Sequence, residues 1–173
     1  TFGTAQATEG PSTARCLIVV TPDAQRTMNT YLGACTRLGP SDIDVAQVAA
    51  AQVTYVEGYL WDPPEAKKAV LKAFDAAHAA GRKVSITLSD SFCVDRYRDE
   101  FRALIRDKVD ILFANEAEIK ALYKTSTFDE AAAIVRKLGK IAALTRSEHG
   151  SFVLDAHSFH MVPPAPTRVV DTT

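Results

Sequence analysis

The sequence predicts an α/β fold built on a mainly parallel sheet, and three observations carry that reading. From residue 41 to 145, strand-like and helix-like segments alternate, the pattern of parallel strands joined by right-handed helical crossovers. Strands such as "DILFA" are apolar on both faces, which suits a sheet covered on both sides. Ahead of this region the pattern differs: two β segments flank a turn.

In chain order, "STARCLIVVTPDAQRTMNTYLGAC" reads as strands over 13–20 and 26–32 around "TPDAQ". "SDIDVAQVAAAQ" reads as a helix with Ser41 or Asp42 as N-cap and Ile43, Val45 and Val48 as its apolar set. "VTYVEGYL" is strand-like. "PPEAKKAVLKAFDAAHAAG" is a helix opened by prolines and stopped by Gly81. "KVSITLS" is a strand, "VDRYRDEFRALIRD" an amphipathic helix, and "DILFAN" a strand. "EAEIKALY" and "DEAAAIVRKLG" are helices, the second stopped by Gly139. "IAALT" is a strand, with "SFVLDA" and "SFHMV" as a hairpin after it.

The 173 residues are enough for a domain with a substantial core, and 47% hydrophobic with 24% charged is ordinary for a soluble globular protein. A net charge of −1 provides no basic field for nucleic acid or a membrane surface. Cys16, Cys35 and Cys93 are sparse and odd in number, which reads as reduced thiols in a cytoplasmic protein. The run "CLIVV" is too short to span a bilayer, and "TFGTAQATEG" lacks the order of a signal peptide. The absence of an initiator Met points to a start that is itself truncated.

In parallel sheets ligands sit beyond the carboxyl ends of the strands, so the loops of interest are "GYLWDPP", "LSDSFCVD", "ANEAE", "TRSEHG" and "VDTT". Neither a G-x-G-x-x-G fingerprint nor a G-x-x-x-x-G-K-[ST] loop occurs, and the 8 glycines are not clustered. Asn115 and Glu118 are three apart where "DILFAN" meets a helix, on one side of its first turn. Free N–H groups there favour anions, the amide can donate to a phosphate oxygen, and the carboxylate can hold a hydrated Mg²⁺. The same pair also fits a capping box, with Asn115 as N-cap. "TRSEHGS" carries Thr145, Ser147 and Gly150 after a buried strand, which fits either a nucleotide loop or an ordinary polar turn. His157 and His160 point to opposite faces of a strand and share no metal. His78 is a surface residue. Cys93, with no base supplied, is a small loop residue.

"DILFANEAEIKALY", "TRSEHGS" and "VVDTT" together, in this order and spacing, resemble the ribokinase-like (PfkB) family of sugar and nucleoside kinases. "KVSITLSDSFCVDRYRDEFRALIRDKVDILFANEAE" and "DAQRTMNTYLGA" look most like its adenosine-kinase branch. The resemblance implies a three-layer α/β/α core over 36–173 and part of a small β lid over 1–35. It implies ATP, Mg²⁺ and K⁺ as cofactors, and phosphorylation of a nucleoside or sugar on a primary hydroxyl by a monomer or homodimer. Carried over by position, Asn115 contacts phosphate, Glu118 orients Mg²⁺ through water, and Thr145, Ser147 and Gly150 sit by ATP. Arg26 matches a phosphate-side Arg, and Phe92 a Phe beside the substrate base; a core plug and a hairpin-end residue are the plain alternatives for Phe92 and Arg26. Asp171 and Thr173 resemble the monovalent-cation loop. The family's "GAGD" turn, with the general base, is expected after Thr173, so the chain reads as an internal segment without activity of its own.

Overall fold

The computed structural model describes residues 6–169. Two sheets form. The first is a hairpin of β1 (Arg15–Val20) and β2 (Arg26–Tyr31), antiparallel, with Val20 opposite Arg26 at the turn. Both of its faces are exposed, including Leu17, Val19 and Met28.

The second sheet has six strands in sequence order: β3 (Val53–Glu57), β4 (Lys83–Thr87), β5 (Ile111–Asn115), β6 (Ile141–Thr145), β7 (Ser151–Leu154) and β8 (Phe159–Val162). The first four are parallel, and β7 and β8 add antiparallel. This mostly parallel sheet flanked by helices confirms the α/β class. The helices are α1 (Val45–Ala50), α2 (Pro64–Ala79), α3 (Ser91–Asp107), α4 (Glu116–Tyr123) and α5 (Phe128–Lys137).

The core lies where the helices meet one face of the sheet. Val84, Ile86, Leu112, Ala142 and Leu144 alternate along the strands and pack with Val70, Phe74, Phe101, Ile105, Ile119 and Val135 from the helices. Consecutive parallel neighbours joined by right-handed crossovers place their helices on the same side. The opposite face is open among the described residues: Tyr55 is 52% and Phe113 41% exposed. Their rings pair edge-on across β4, with centroids 6.4 Å apart, and Ser85 between them is buried. The expectation of a sheet covered on both sides is therefore met on one face only by the described residues.

Several boundaries differ from the sequence reading. "SDID" offers three capping side chains, and Asp44 is the one that caps α1, accepting from the N–H groups of Ala46 and Gln47; Pro40–Asp42 forms a separate 3₁₀ turn. Residues 58–61 leave β3 as a 3₁₀ turn. Asp90 caps α3 three residues earlier than expected, so Cys93 is a buried residue of a helical first turn and not a loop residue. His157 belongs to the turn between β7 and β8, held by Asp155, and only His160 lies in a strand. His78 is at the surface as expected, 3.2 Å from Asp110.

Candidate functional site

Asn115 and Thr145 are register partners at the carboxyl ends of β5 and β6. A cleft of about 400 Å³ opens above them, lined by Asn115, Glu116, Lys120, Thr145, Ser147 and His149, with Arg146 alongside. A contiguous recess of about 230 Å³ shares Asn115 and Thr145 and reaches Glu118, Thr87 and Phe113.

The first wall is the start of α4. Asn115 has extended backbone (φ −89°, ψ 173°) and its Oδ1 accepts from the Glu118 N–H at 2.8 Å. Glu118 returns both carboxylate oxygens: Oε2 accepts from the Asn115 N–H at 2.9 Å and Oε1 from Asn115 Nδ2 at 2.8 Å. The capping-box alternative is thus present. It leaves the first helical N–H groups, of Glu116 and Ala117, without intrahelical acceptors, because an α-helix offers none there. The wall can therefore donate to an anion while a carboxylate sits behind those N–H groups.

Glu118 is only 5% exposed. Burial pushes its pKa up, against the lowering effect of the Asn115 N–H, and the charges of Asp90 and Glu57 push it further. Glu57 accepts from Tyr55 Oη at 2.5 Å and Ser89 Oγ at 2.9 Å. Burial, with Glu57 second, drives the Tyr55 pKa up to about 12. The strand ends thus gather hard anionic oxygens whose mutual repulsion a cation would relieve. Among the described residues no group of three His, Cys, Asp or Glu side chains is placed to hold a metal directly. Both Glu118 oxygens are already hydrogen-bonded, so the donor set fits a Mg²⁺ that keeps most of its water.

The second wall is the loop after β6. Ser147 adopts a left-handed conformation (φ 48°) and Gly150 has φ 83°. The Arg146 N–H donates to the Gly150 carbonyl at 2.8 Å, closing the loop. A Cβ on Gly150 would stand 2.2 Å from the Val162 carbonyl, so no other residue fits without displacing β8.

Of the residues singled out from sequence, Asn115, Thr145 and Ser147 meet at one cleft, Glu118 lies in the adjoining recess, and Gly150 closes the loop. Phe92 sits outside both cavities, in the first turn of α3 at the carboxyl end of β4, and is 73% exposed, so it is not a core plug. Arg26 is on the separate hairpin and does not line the cleft. Asp171 and Thr173 lie outside the described residues. Cys93 is held by the Gly58 carbonyl and burial raises its pKa to about 11, which suits a packed thiol and not a nucleophile. Sequence reasoning missed Lys120, Glu116, Arg146 and His149 as cleft residues. The spacing of Glu116 and Lys120, one helical turn apart, was the available signal for the first.

A cleft at strand carboxyl ends, with the free N–H groups of a helix start facing a polar loop, lies where open α/β sheets bind their ligands. The model of the pfkB family carbohydrate kinases matches residues 4–173, and the chain belongs to that family. A solved adenosine kinase from Sinorhizobium meliloti is 51% identical with a TM-score of 0.93, over 99% of this chain and 53% of its own. A solved probable sugar kinase protein from Rhizobium etli CFN 42 is 53% identical with a TM-score of 0.88, over 92% of this chain and 49% of its own. A presumptive ribokinase II from E. coli, in complex with ATP and Mg²⁺, shares the fold at 21% identity and a TM-score of 0.76, over 88% and 51%. The chain thus spans about half the length of these solved relatives.

Proposed function

We propose that this chain carries the nucleotide side of an ATP-dependent kinase that phosphorylates a nucleoside, with adenosine as the leading acceptor. The observation that supports it most is the pairing of Asn115 and Thr145 across β5 and β6 beneath a cleft walled by the α4 start and the Ser147 loop. Phosphoryl transfer depends on charge neutralisation and alignment more than on covalent chemistry. Asn115 and the first N–H groups of α4 would hold phosphate oxygens, and Thr145, Ser147 and the backbone at Gly150 would border the nucleotide. Glu118 would orient the water shell of Mg²⁺, which supplies charge neutralisation when bound. In the same reading the hairpin is part of a lid that carries Arg26 toward the phosphates. In this reading Asp171 and Thr173 belong to a K⁺ loop.

An exposed aromatic at the neighbouring strand end favours a nucleoside acceptor, since a solvent-facing Phe92 is available to stack on a base. A sugar acceptor is the second reading, favoured by the equal likeness to a probable sugar kinase. A protein of the relatives' full length containing this chain is expected to transfer phosphate from MgATP to adenosine far faster than to ribose or fructose. Transfer to the sugars alone would favour the second reading. MgATP binding with no transfer to any acceptor would make it a non-catalytic nucleotide-binding module.

A further inference from the structure

Arg146 joins several elements at the cleft. Its Nε donates to Glu116 Oε2 at 3.0 Å, bridging the β6 loop to the first residue of α4. Its guanidinium lies 4.4 Å from the Phe128 ring centroid and 5.6 Å from that of Phe152. Those rings are themselves packed edge-on at 4.8 Å, and Phe159 extends the stack at 4.9 Å. One side chain therefore ties the starts of α4 and α5 and the strand β7 to the loop it belongs to. Both partners of the ion pair are partly buried, with side chains 26% and 33% exposed, so the pair is shielded more than a surface pair is. An Arg suits this place because its planar fork binds a carboxylate on its edge while its face lies on an aromatic ring.

The consequence falls on Ser147. A left-handed serine is disfavoured and persists only where its surroundings fix it. The Arg146 side chain anchors the position just before Ser147, and β8, which runs so close to Gly150 that a Cβ there would meet the Val162 carbonyl, bounds the loop three residues after. We propose that Arg146 is a positioning residue that sets the gap between the α4 start and the Thr145–Gly150 loop, and so the affinity of the cleft for nucleotide, through Glu116 and the Phe128–Phe152 pair. This rests on the nucleotide-site reading above and adds a residue to it.

The test compares the unaltered chain with Arg146→Met, Arg146→Lys, Glu116→Gln, the single reversals Arg146→Glu and Glu116→Arg, and the two reversals combined. Each is measured for MgATP affinity by calorimetry, for amide hydrogen exchange over 115–120 and 145–150 without ligand, and for thermal unfolding. Arg146→Met is expected to weaken MgATP about ten-fold, the size of one broken coupling between contacting charged groups. It should also speed exchange in both segments while the core strands stay protected. Glu116→Gln should reproduce part of the loss, Arg146→Lys should restore part of it, and the exchanged pair should recover more than either charge reversal alone. The lysine and glutamine variants keep the test decisive if the methionine variant does not fold. Unchanged affinity and unchanged exchange in the Arg146 and Glu116 variants would overturn the proposal and leave the nucleotide site standing. An unaltered chain that folds yet binds no MgATP would overturn both.

Discussion

The two walls of the cleft are built by opposite means. The α4 wall is local: Asn115 and Glu118 satisfy each other across three residues, and every hydrogen bond of the capping box lies within one turn. The β6-loop wall is assembled from a distance: Arg146 reaches Glu116 30 residues away, and only a glycine fits at 150 because β8 passes beside it. A locally encoded wall forms wherever its helix forms. A wall held by remote contacts keeps its shape only while the β7–β8 hairpin and α5 are docked. The first should therefore resist perturbation of distant elements, and the second should fail when any one of them moves.

The sharpest way to break that contrast is Gly150→Ala. A methyl group at φ 83°, 2.2 Å from a carbonyl oxygen, combines backbone strain with overpacking. It should destabilise the chain by about 2–4 kcal/mol in denaturant unfolding. Chemical-shift changes should fall on 145–151 and β8 and leave Asn115 and Glu118 untouched. A mild effect, or shifts spread equally over both walls, would mean that the loop is not pinned by β8.

Asn115→Ala comes next. It removes the N-cap and two of the three bonds that satisfy the nearly buried Glu118 carboxylate and its N–H, for about 2 kcal/mol. Its structural effects should stay within the first turn of α4. Propagation to the β6 loop would blur the distinction between the walls.

Glu118→Gln is smaller and turns on pH. The folded-state pKa of Glu118 is raised from 4.5, chiefly by burial. Below the unfolded value the carboxyl is neutral in both states, and its relative contribution is fully present. As pH rises past 4.5 and through the raised folded value, the wild type loses stability relative to Glu118→Gln. A plot of the difference in unfolding midpoint against pH should therefore slope in favour of the variant, and saturating Mg²⁺ with nucleotide should reverse the slope. A flat plot would place the carboxyl in an ordinary, solvated setting. The least effect on stability is expected from Phe92→Ala, within about 0.5 kcal/mol, because the ring is solvent-exposed. A full-length relative carrying this change should instead show a raised KM for adenosine and an unchanged KM for MgATP.

The same contrast explains what could be read from the sequence. Elements whose signals are local were legible. The span of α4 and the Asn115–Glu118 pair follow from a strand run meeting an N-x-x-E start, and β4 to β6 from apolar runs between amphipathic helices. Competing local signals blurred the start of α1, where Ser41, Asp42 and Asp44 all qualify as caps and only tertiary packing chooses. The start of α3 was hidden because Ser91 and Phe92 are poor indicators of a helix, and the Asp90 cap reads equally as a loop residue. Arg146 could not be found at all, since its partners Glu116, Phe128 and Phe152 are brought together only by strand order. What lies over the second sheet face was not legible, because apolar residues on both sides of "DILFA" say that both sides can be covered, not what covers them.

Mapping MgATP onto the chain by amide hydrogen exchange tests the proposed nucleotide cleft most directly. Added nucleotide should protect 115–120 and 145–150. It should leave unchanged the roughly equal recess of about 440 Å³ between α5 and the β7–β8 hairpin, lined by Ala132, Ala133, Phe152 and Phe159. Protection confined to that recess, or none at the α4 start and the β6 loop at saturating MgATP, would contradict the account.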